Sequence, residues 1–370
     1  MIKSTDLIIS ICYVLGILAV GLWSGIRHRR KSKANAAGEY FLAGKTLRWP
    51  TIGLALFATN ISTVHLVSLA QSGFDTGLLN GNFEWMASFT LILLALFFAP
   101  FYIKSGVATL PDFLEKRYDR DSRDWLVVIS VLSAIIIHIA FSMLAGGIVL
   151  KTLVGVSMYT SVIAISFITA IYTIIGGLKA VVVTESIQTI VLITGAAIIS
   201  FAAYNKMGGW QPMVDVLHTT NHMEKISMFR PQGDSSGMPW YAVFLGYPVL
   251  GIWYWCADQT IVQRVLGAKD ENHARVGPLF CGFIKILPVF IFVLPGLFAY
   301  TLAQSGKLDI SILKTVNESG KEIVNSKGIY TLMITQLLPT GMIGILVAAL
   351  LSGLMSQVSG ALNSISTMVA

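Results

Sequence analysis

The chain has 370 residues, of which 55% are hydrophobic and only 12% carry a charge. Soluble domains average about 25% charged residues, so this composition, with a mean hydropathy of +0.72, excludes an ordinary soluble protein. The net charge of +7 is dispersed between apolar segments, which argues against a nucleic-acid partner.

Nine apolar runs approach or reach the roughly 20 residues that a helix needs to cross about 30 Å of hydrocarbon. They are continuous, whereas the strands of a membrane barrel alternate apolar and polar residues over about ten positions. We therefore predict an all-α protein that spans the lipid bilayer. The predicted spans are 7–24, 50–72, 85–103, 125–150, 158–176, 180–203, 238–262, 276–303 and 340–369.

The first run (7–24) follows Asp6 and precedes the basic segment RHRRKSK (27–33), with no small-residue cleavage motif between them. It therefore predicts a retained helix rather than a signal peptide. Basic residues of short loops prefer the cytoplasmic side. With the N-terminus outside, 16 of the 26 Lys and Arg residues fall in inside loops. We predict a multi-pass protein of the plasma membrane with its N-terminus outside.

Two predicted spans contain interruptions. FATNISTVHL (57–66) replaces leucines with β-branched and hydroxyl residues, which can bond the backbone groups that a break exposes. In the seventh span, Gly246, Pro248 and Gly251 come directly before a cluster of aromatic residues and predict a second break there. Two interrupted spans separated by intact ones are typical of inverted-repeat transporters with a binding site near the midplane.

Ionisable side chains within the spans are candidate functional residues, because each costs about 2.5–3.5 kcal/mol at membrane depth. Glu84 and Asp258 could instead lie at a span end in the interface, and the two histidines could be satisfied core residues. The residues concerned are His65, Glu84, His138, Glu185, Asp258 and Lys285.

No constellation in the sequence indicates catalysis, because the spans contain no HExxH, GxSxG or Walker sequence. We therefore predict that the protein is not an enzyme. Cys12, Cys256 and Cys281 lie in apolar runs without CxxC spacing, which predicts neither a disulfide nor a metal site. The polar stretch 304–330 predicts an external loop that could end in a short amphipathic helix. The last run has no polar tail, so we expect a chain truncated at its C-terminus.

Six segments carry a family resemblance. They are EYFLAGKTLRWPTIGLALFATNIS, FEWMASFTLI, IYTIIGGLKAVVVTESIQ, WYWCADQTIVQRVLGAK, FIKILPVFIFVLPG and LNSIST. In this order they resemble the solute:sodium symporter family, specifically its sodium/sugar branch, over nearly the whole chain. The segment 176–188 marks the family broadly, whereas WYWC-DQ-IVQR followed by K-LP is more specific to the sugar branch.

The resemblance implies a single transmembrane transporter domain over residues 1–370. Its fold would be a bundle of two inverted five-helix repeats preceded by one extra helix, with alternating access around a central site. The extra helix would be 7–24, the first repeat 50–203, and the first three helices of an incomplete second repeat 238–369.

The resemblance also implies sodium-coupled symport of a sugar or related polyol. Aromatic rings stack on the faces of a pyranose, and convergent polar groups bind its hydroxyls. Tyr254 would close over the sugar as an inner gate, and Trp255 would line the site. The implied substrate-binding residues are Asn60, His65, Glu84, His138, Trp253, Tyr254, Trp255 and Lys285.

Two features near this site concern specificity. Gly251 stands where relatives place an Asn or Thr that touches the sugar, which predicts a missing hydroxyl contact and a larger pocket. A hexose, inositol or a substituted sugar is therefore left open. Asp258, Gln259 and Arg264 would lie towards the cytoplasm, where Asp258 and Arg264 can pair in an interface network.

A sodium site is implied as well, with sodium as the co-transported ion. The implied ligands are Ala58, Ile61, Gly353, Ser356 and Gln357. Gln357 replaces a second hydroxyl of the family, which leaves proton coupling or uncoupled transport open. Glu185 replaces an Asp and could attract the departing cation, with a structural ion pair as the alternative.

Two alternative functions are left open. The first is a sodium symporter for another small solute, namely a carboxylate, an amino acid or iodide. The second is a sugar sensor that uses a transporter-like fold.

Overall fold

The computed structural model describes residues 3–31, 36–316 and 322–370. Part of the basic segment 27–33 and part of the polar stretch 304–330 therefore lie outside the described residues. The α-helices are α1 (Ser4–Lys31), α2 (Ala36–Leu42), α3 (Trp49–Asn60), α4 (Thr63–Thr76), α5 (Gly81–Leu93), α6 (Ala99–Ser105), α7 (Leu110–Arg117), α8 (Arg120–Ser133), α9 (Phe141–Val154), α10 (Met158–Met207), α11 (Trp210–Thr219), α12 (Trp240–Ile252), α13 (Gln259–Leu266), α14 (Glu271–Ile284), α15 (Leu294–Gln304), α16 (Ile329–Leu337) and α17 (Met342–Val369).

Short π-helical segments extend several of these helices. They are Leu94–Phe98, Ala134–Ala140, Trp253–Ala257 and Val289–Val293. In the described part of the polar stretch 304–330, β1 (Lys314–Val316) and β2 (Glu322–Val324) pair as an antiparallel hairpin, before α16. The all-α prediction is confirmed for the bundle, and the hairpin is a small addition to it.

The predicted spans are helical, but they join differently from the prediction. The described residues form six helical stretches that are long and apolar enough to cross a membrane. They are Ser4–Arg27, Thr63–Ser105, Arg120–Val154, Met158–Met207, Glu271–Gln304 and Met342–Val369. α10 consists of two helices that meet at a kink at Gly177, whose φ of 58° and ψ of −159° only glycine adopts easily, so the predicted spans 158–176 and 180–203 lie on either side of this kink.

The first predicted break is confirmed. α3 ends at Asn60 and α4 begins at Thr63, with Ile61 and Ser62 in extended conformation between them. Ser62 and His65 form a reciprocal capping box that satisfies the first free N–H groups of α4. The polar residues of this segment therefore support a helix interruption within the bundle.

The second predicted break was placed wrongly. α12 continues through Pro248 to Ile252, and the π-helical segment Trp253–Ala257 carries it further. The helix breaks at Asp258, which has ψ of 122° and accepts a hydrogen bond from the N–H of Thr260 at 2.7 Å. The break therefore lies where a carboxylate caps a new helix. Pro248 does not break α12, because membrane helices tolerate a proline.

The N-terminal helix α1 packs against α10 and α17, which also pack against each other. The buried Asp6 accepts hydrogen bonds from the N–H groups of Gly341 at 2.6 Å and Gly344 at 2.8 Å. A carboxylate at this position satisfies free donors at the start of α17 and complements its helix dipole. The α1 helix is therefore an integral part of the bundle.

The close contact between α4 and α15 depends on glycine. A Cβ atom added to Gly296 would lie 1.9 Å from the carbonyl oxygen of Ala70, so an alanine must push the two helices apart. We expect Gly296→Ala to destabilise the protein by about 1–3 kcal/mol, the usual range for overpacking. The measurement is thermal unfolding in detergent. Gly246→Ala is the control, because an added Cβ there meets nothing within 4 Å; equal melting temperatures of both variants would contradict the prediction.

Candidate functional site

A cavity of about 290 Å³ lies beside the first helix break. Its walls come from this break, from α5, from the π-helical segment Ala134–Ala140, from α12 with its π-helical extension, and from α17. Seven of the eight predicted substrate-binding residues line it: Asn60, His65, Glu84, His138, Tyr254, Trp255 and Lys285. The fold thus brings together side chains that are spread over more than half of the sequence.

A hydrogen-bond network centred on Lys285 forms one side of the cavity. The ammonium group of Lys285 donates to Oδ1 of Asn60 at 2.6 Å and to Oε2 of Glu84. Nδ2 of Asn60 in turn donates to the hydroxyl of Tyr254 at 3.2 Å. Lys285 is only 1% exposed, and its Nζ lies 5.7 Å from the ring centroid of Trp255. This side therefore offers donors and acceptors around a charge pair that is already neutralised.

His138 connects the cavity to the second helix break. Its Nε2 lies 3.3 Å from Oδ2 of Asp258, and its Nδ1 lies 2.5 Å from Nε2 of Gln357. All three side chains are buried. Asp258 caps the start of α13, and its carboxylate is buried beside His138 in the bundle.

His65 combines the two roles that the sequence allowed for it. It lines the cavity, and its Nδ1 lies 3.1 Å from Oγ of Ser62 and accepts the backbone N–H of Ser62 at 3.3 Å. The ring therefore stabilises the first break and at the same time forms part of the cavity wall.

Trp253 lies away from the other predicted substrate-binding residues. It is 42% exposed and lines a second cavity of about 310 Å³, together with Asp258 and Gln259. Tyr254 and Trp255 line the first cavity, whereas Trp253 does not.

The space beside Gly251, where a larger pocket is predicted, is occupied by the ring of Tyr247. A Cβ added to Gly251 would lie 2.6 Å from Cε1 of Tyr247 and 2.8 Å from Cγ2 of Thr90. Tyr247 also lines the cavity and was not among the predicted residues. Its position one helical turn before Gly251 was the available signal, since residues four apart lie on the same helix face.

Three of the predicted sodium ligands meet where α17 packs against the first break. Oγ of Ser356 donates to the carbonyl oxygens of Ala58 at 2.9 Å and Gly353 at 3.2 Å. In a continuous helix the N–H of Ser62 would bond the Ala58 carbonyl, but here it donates to His65. Carbonyl oxygens of unwound helix segments are the ligands that sodium symporters use for Na⁺.

The two remaining predicted ligands are placed differently. Ile61 is the extended residue of the break itself, with φ of −83° and ψ of 106°. Gln357 lines the first cavity, where its amide bonds His138. The amide of Gln357 is therefore engaged on the cavity side of α17.

Glu185 forms a fully buried ion pair. Its Oε1 lies 2.5 Å from Nη2 of Arg264 and accepts the hydroxyl of Thr59 at 3.2 Å, and both charged side chains are 0% exposed. The structural pairing left open for Glu185 is thus present. The pair expected between Asp258 and Arg264 is replaced by two other pairs, because α10 lies closer to Arg264 and His138 lies closer to Asp258.

Comparisons with known proteins concern the family of the chain. The model of the Sodium:solute symporter family matches residues 40–370. A sodium/glucose cotransporter 4 of Danio rerio is 33% identical over 380 residues, which cover 99% of this chain and 57% of the relative. A sodium/glucose cotransporter 2 of Rattus norvegicus is 34% identical over 384 residues, which cover 98% and 57%. The chain thus spans about 57% of the length of these curated relatives.

A solved structure shares the fold. It is the substrate-bound outward-open state of a Na⁺-coupled sialic acid symporter, with a TM-score of 0.85 and 22% identity. The similarity covers 99% of this chain and 74% of that chain.

Proposed function

The chain belongs to the sodium:solute symporter family, and we propose that the full-length protein co-transports sodium with a sugar or related polyol. It is a multi-pass α-helical membrane protein of a transporter family. We propose the plasma membrane as its location, with the N-terminus outside and alternating access as the mechanism.

The charge balance of the cavity is the observation that best supports a sugar or polyol as the substrate. The acidic side chain and the lysine that line the described cavity form one matched ion pair, Glu84 with Lys285. A carboxylate or an amino acid would need an unmatched counter-charge. A neutral polyol needs donors and acceptors plus an aromatic face, which Asn60 and the rings of Tyr254 and Trp255 offer alongside this ion pair. The volume is near the lower end of the roughly 300–1,000 Å³ of small-molecule pockets, as expected for a monosaccharide.

Coupling between sodium and sugar would follow from the shared helix break. The proposed cation ligands Ala58 and Ile61 flank Asn60, whose side chain belongs to the substrate network. A cation that orders the backbone here also fixes Asn60 for the sugar, and by linkage the sugar must strengthen cation binding equally. Glu185 is proposed to guide the departing cation, since Thr59 connects its carboxylate to this break.

The positions of the two breaks support the proposed division of the chain. Residues 7–24 are assigned to an extra helix, 50–203 to a first repeat and 238–369 to the first three helices of a second. The first break lies in the first span of one proposed repeat and Asp258 lies in the first span of the other. This placement is what an inverted repeat requires.

Uptake by the full-length protein in proteoliposomes tests the function directly. We expect an inward sodium gradient to drive uptake of radiolabelled D-glucose or myo-inositol, because the cation and substrate sites share one helix break. Choline in place of sodium is the control. Equal uptake of both compounds in the two media would reject sodium-coupled symport.

Ser356→Ala tests the cation site. It removes an oxygen beside the Ala58 and Gly353 carbonyls, and we expect sodium affinity to fall about tenfold, or about 1.4 kcal/mol. Sugar affinity should fall at limiting sodium and recover at saturating sodium. Ser366→Ala is the control on the same helix, because among the described residues the Ser366 hydroxyl bonds only the Asn363 carbonyl of α17. A sodium dependence unchanged by Ser356→Ala would place the cation elsewhere.

A further inference from the structure

Gln357 belongs by its geometry to the substrate cavity. We propose that its side-chain carbonyl oxygen accepts a hydrogen bond from one substrate hydroxyl, so that Gln357 determines substrate specificity. This inference rests on the sugar or polyol symport proposed above. It adds a substrate contact to a residue that the sequence predicted only as a sodium ligand.

The direction of the Gln357 amide follows from its partners. Asp258 accepts the N–H of Thr260 at Oδ1, and its Oδ2 lies 3.3 Å from Nε2 of His138. A carboxylate only accepts hydrogen bonds, so Nε2 carries a ring N–H, and in the neutral ring Nδ1 is then the acceptor. The group that lies 2.5 Å from Nδ1 must then be the amide nitrogen of Gln357. This leaves the amide oxygen facing away from His138.

The amide oxygen of Gln357 lacks a partner among the described residues. The atom is buried without a hydrogen bond, and the whole residue is only 5% exposed. Buried acceptors almost always have a donor, and this one belongs to a residue that lines the cavity. A substrate hydroxyl in the cavity would be that donor, whereas an ether or carbonyl oxygen at the same place would be rejected.

The same contacts separate Gln357 from the cation cluster. Ser356 bonds the Ala58 and Gly353 carbonyls, whereas the amide of Gln357 reaches across to His138 in the π-helical segment between α8 and α9. Adjacent residues of a helix point in different directions. A chain of three residues, Asp258, His138 and Gln357, therefore holds one acceptor in position within the substrate cavity.

The test combines variants of the protein with analogues of the substrate. Gln357→Met keeps the length of the side chain and removes the amide. Sodium-driven uptake of D-glucose and myo-inositol is measured in proteoliposomes of the full-length protein, with the mono-deoxy analogues of each as competitors. In the wild type, one analogue should bind about threefold to tenfold more weakly than its parent, which is the value of one hydrogen bond. In Gln357→Met this difference should vanish, because the parent loses the same contact.

Two controls keep the result interpretable. Gln211→Met makes the same replacement on exposed α11 and should preserve the analogue pattern. Gln357→Asn retains the amide on a shorter stem and should reduce the discrimination, so it serves if Gln357→Met does not fold. Half-saturation by sodium at saturating sugar should change by no more than about twofold in either variant.

The outcomes separate this inference from the proposed function. If the wild type takes up neither compound with sodium, both the function and the inference fail. If it does and both Gln357 variants keep the wild-type analogue pattern, the inference alone is overturned. A raised sodium requirement with unchanged discrimination would make Gln357 a cation ligand and would also overturn it.

Discussion

Replacing Arg264 by methionine is expected to destabilise the fold by about 3–5 kcal/mol, the cost of breaking a buried ion pair. Arg264 and Glu185 are both fully buried, so the variant leaves a carboxylate in the bundle with only the hydroxyl of Thr59 beside it. Thermal unfolding of the full-length protein in detergent measures the effect. The first helix break should loosen at the same time, because Thr59 directly precedes Asn60.

Two further variants show whether the uncompensated charge is the cause. Glu185→Leu combined with Arg264→Met removes both charges and should recover most of the stability, since apolar residues often replace a buried pair without loss. Lys104→Met is the surface control: its pair with Glu271 spans 3.6 Å with side chains 70% and 37% exposed. Lys104→Met should lower the free energy of unfolding by no more than about 1 kcal/mol. A similar loss in Lys104→Met and Arg264→Met would contradict the prediction.

Composition and local sequence were sufficient for the bundle and for its first break. The break at 61–62 was predictable because polar and β-branched residues replace leucine there, and a helix interior in lipid rarely contains such a run. Ser62 and His65 carry the local capping signal. Local chemistry decides this feature, so a local reading of the sequence finds it.

The second break was misplaced for a physical reason. Gly246 and Pro248 weaken a helix in isolation, but the surrounding helices support α12 through both residues. Asp258 provides what a new helix needs, an acceptor for the N–H of Thr260. The capping signal of Asp258 follows the aromatic residues, and it marks the position of the break better than Gly246 and Pro248 do.

Contacts between distant segments could not be predicted from the sequence. Arg264 lies six positions from Asp258 but pairs with Glu185, which is 79 residues away. The direction in which Gln357 points was equally unpredictable, because it depends on His138 in another part of the chain. The sequence predicts which residues are unusual for a membrane helix. Which of these residues contact one another depends on how the helices pack.

Lys285→Met is expected to lower sugar uptake by more than about 100-fold, because hydrogen bonds to a charged group contribute about 1.5–3 kcal/mol each. Lys285 donates to both Asn60 and Glu84, and both would lose their partner. Asn60 would no longer be oriented towards the cavity, and Glu84 would remain as an unpaired buried charge. Uptake of D-glucose into proteoliposomes is the measurement. Lys307→Met is the control, because this lysine bonds the Met207 carbonyl outside the cavity.

The double variant Glu84→Gln with Lys285→Met separates substrate binding from stability. It removes both charges, so thermal unfolding should return close to that of the wild type. Uptake should stay low, because neither the ammonium donor nor the full carboxylate acceptor is present for sugar hydroxyls. Glu84→Gln alone keeps an acceptor oxygen for Lys285 and should lose less uptake than Lys285→Met. If the double variant regained both stability and uptake, the network would only stabilise the bundle, and Asn60, Glu84 and Lys285 would have to be removed from the proposed sugar site.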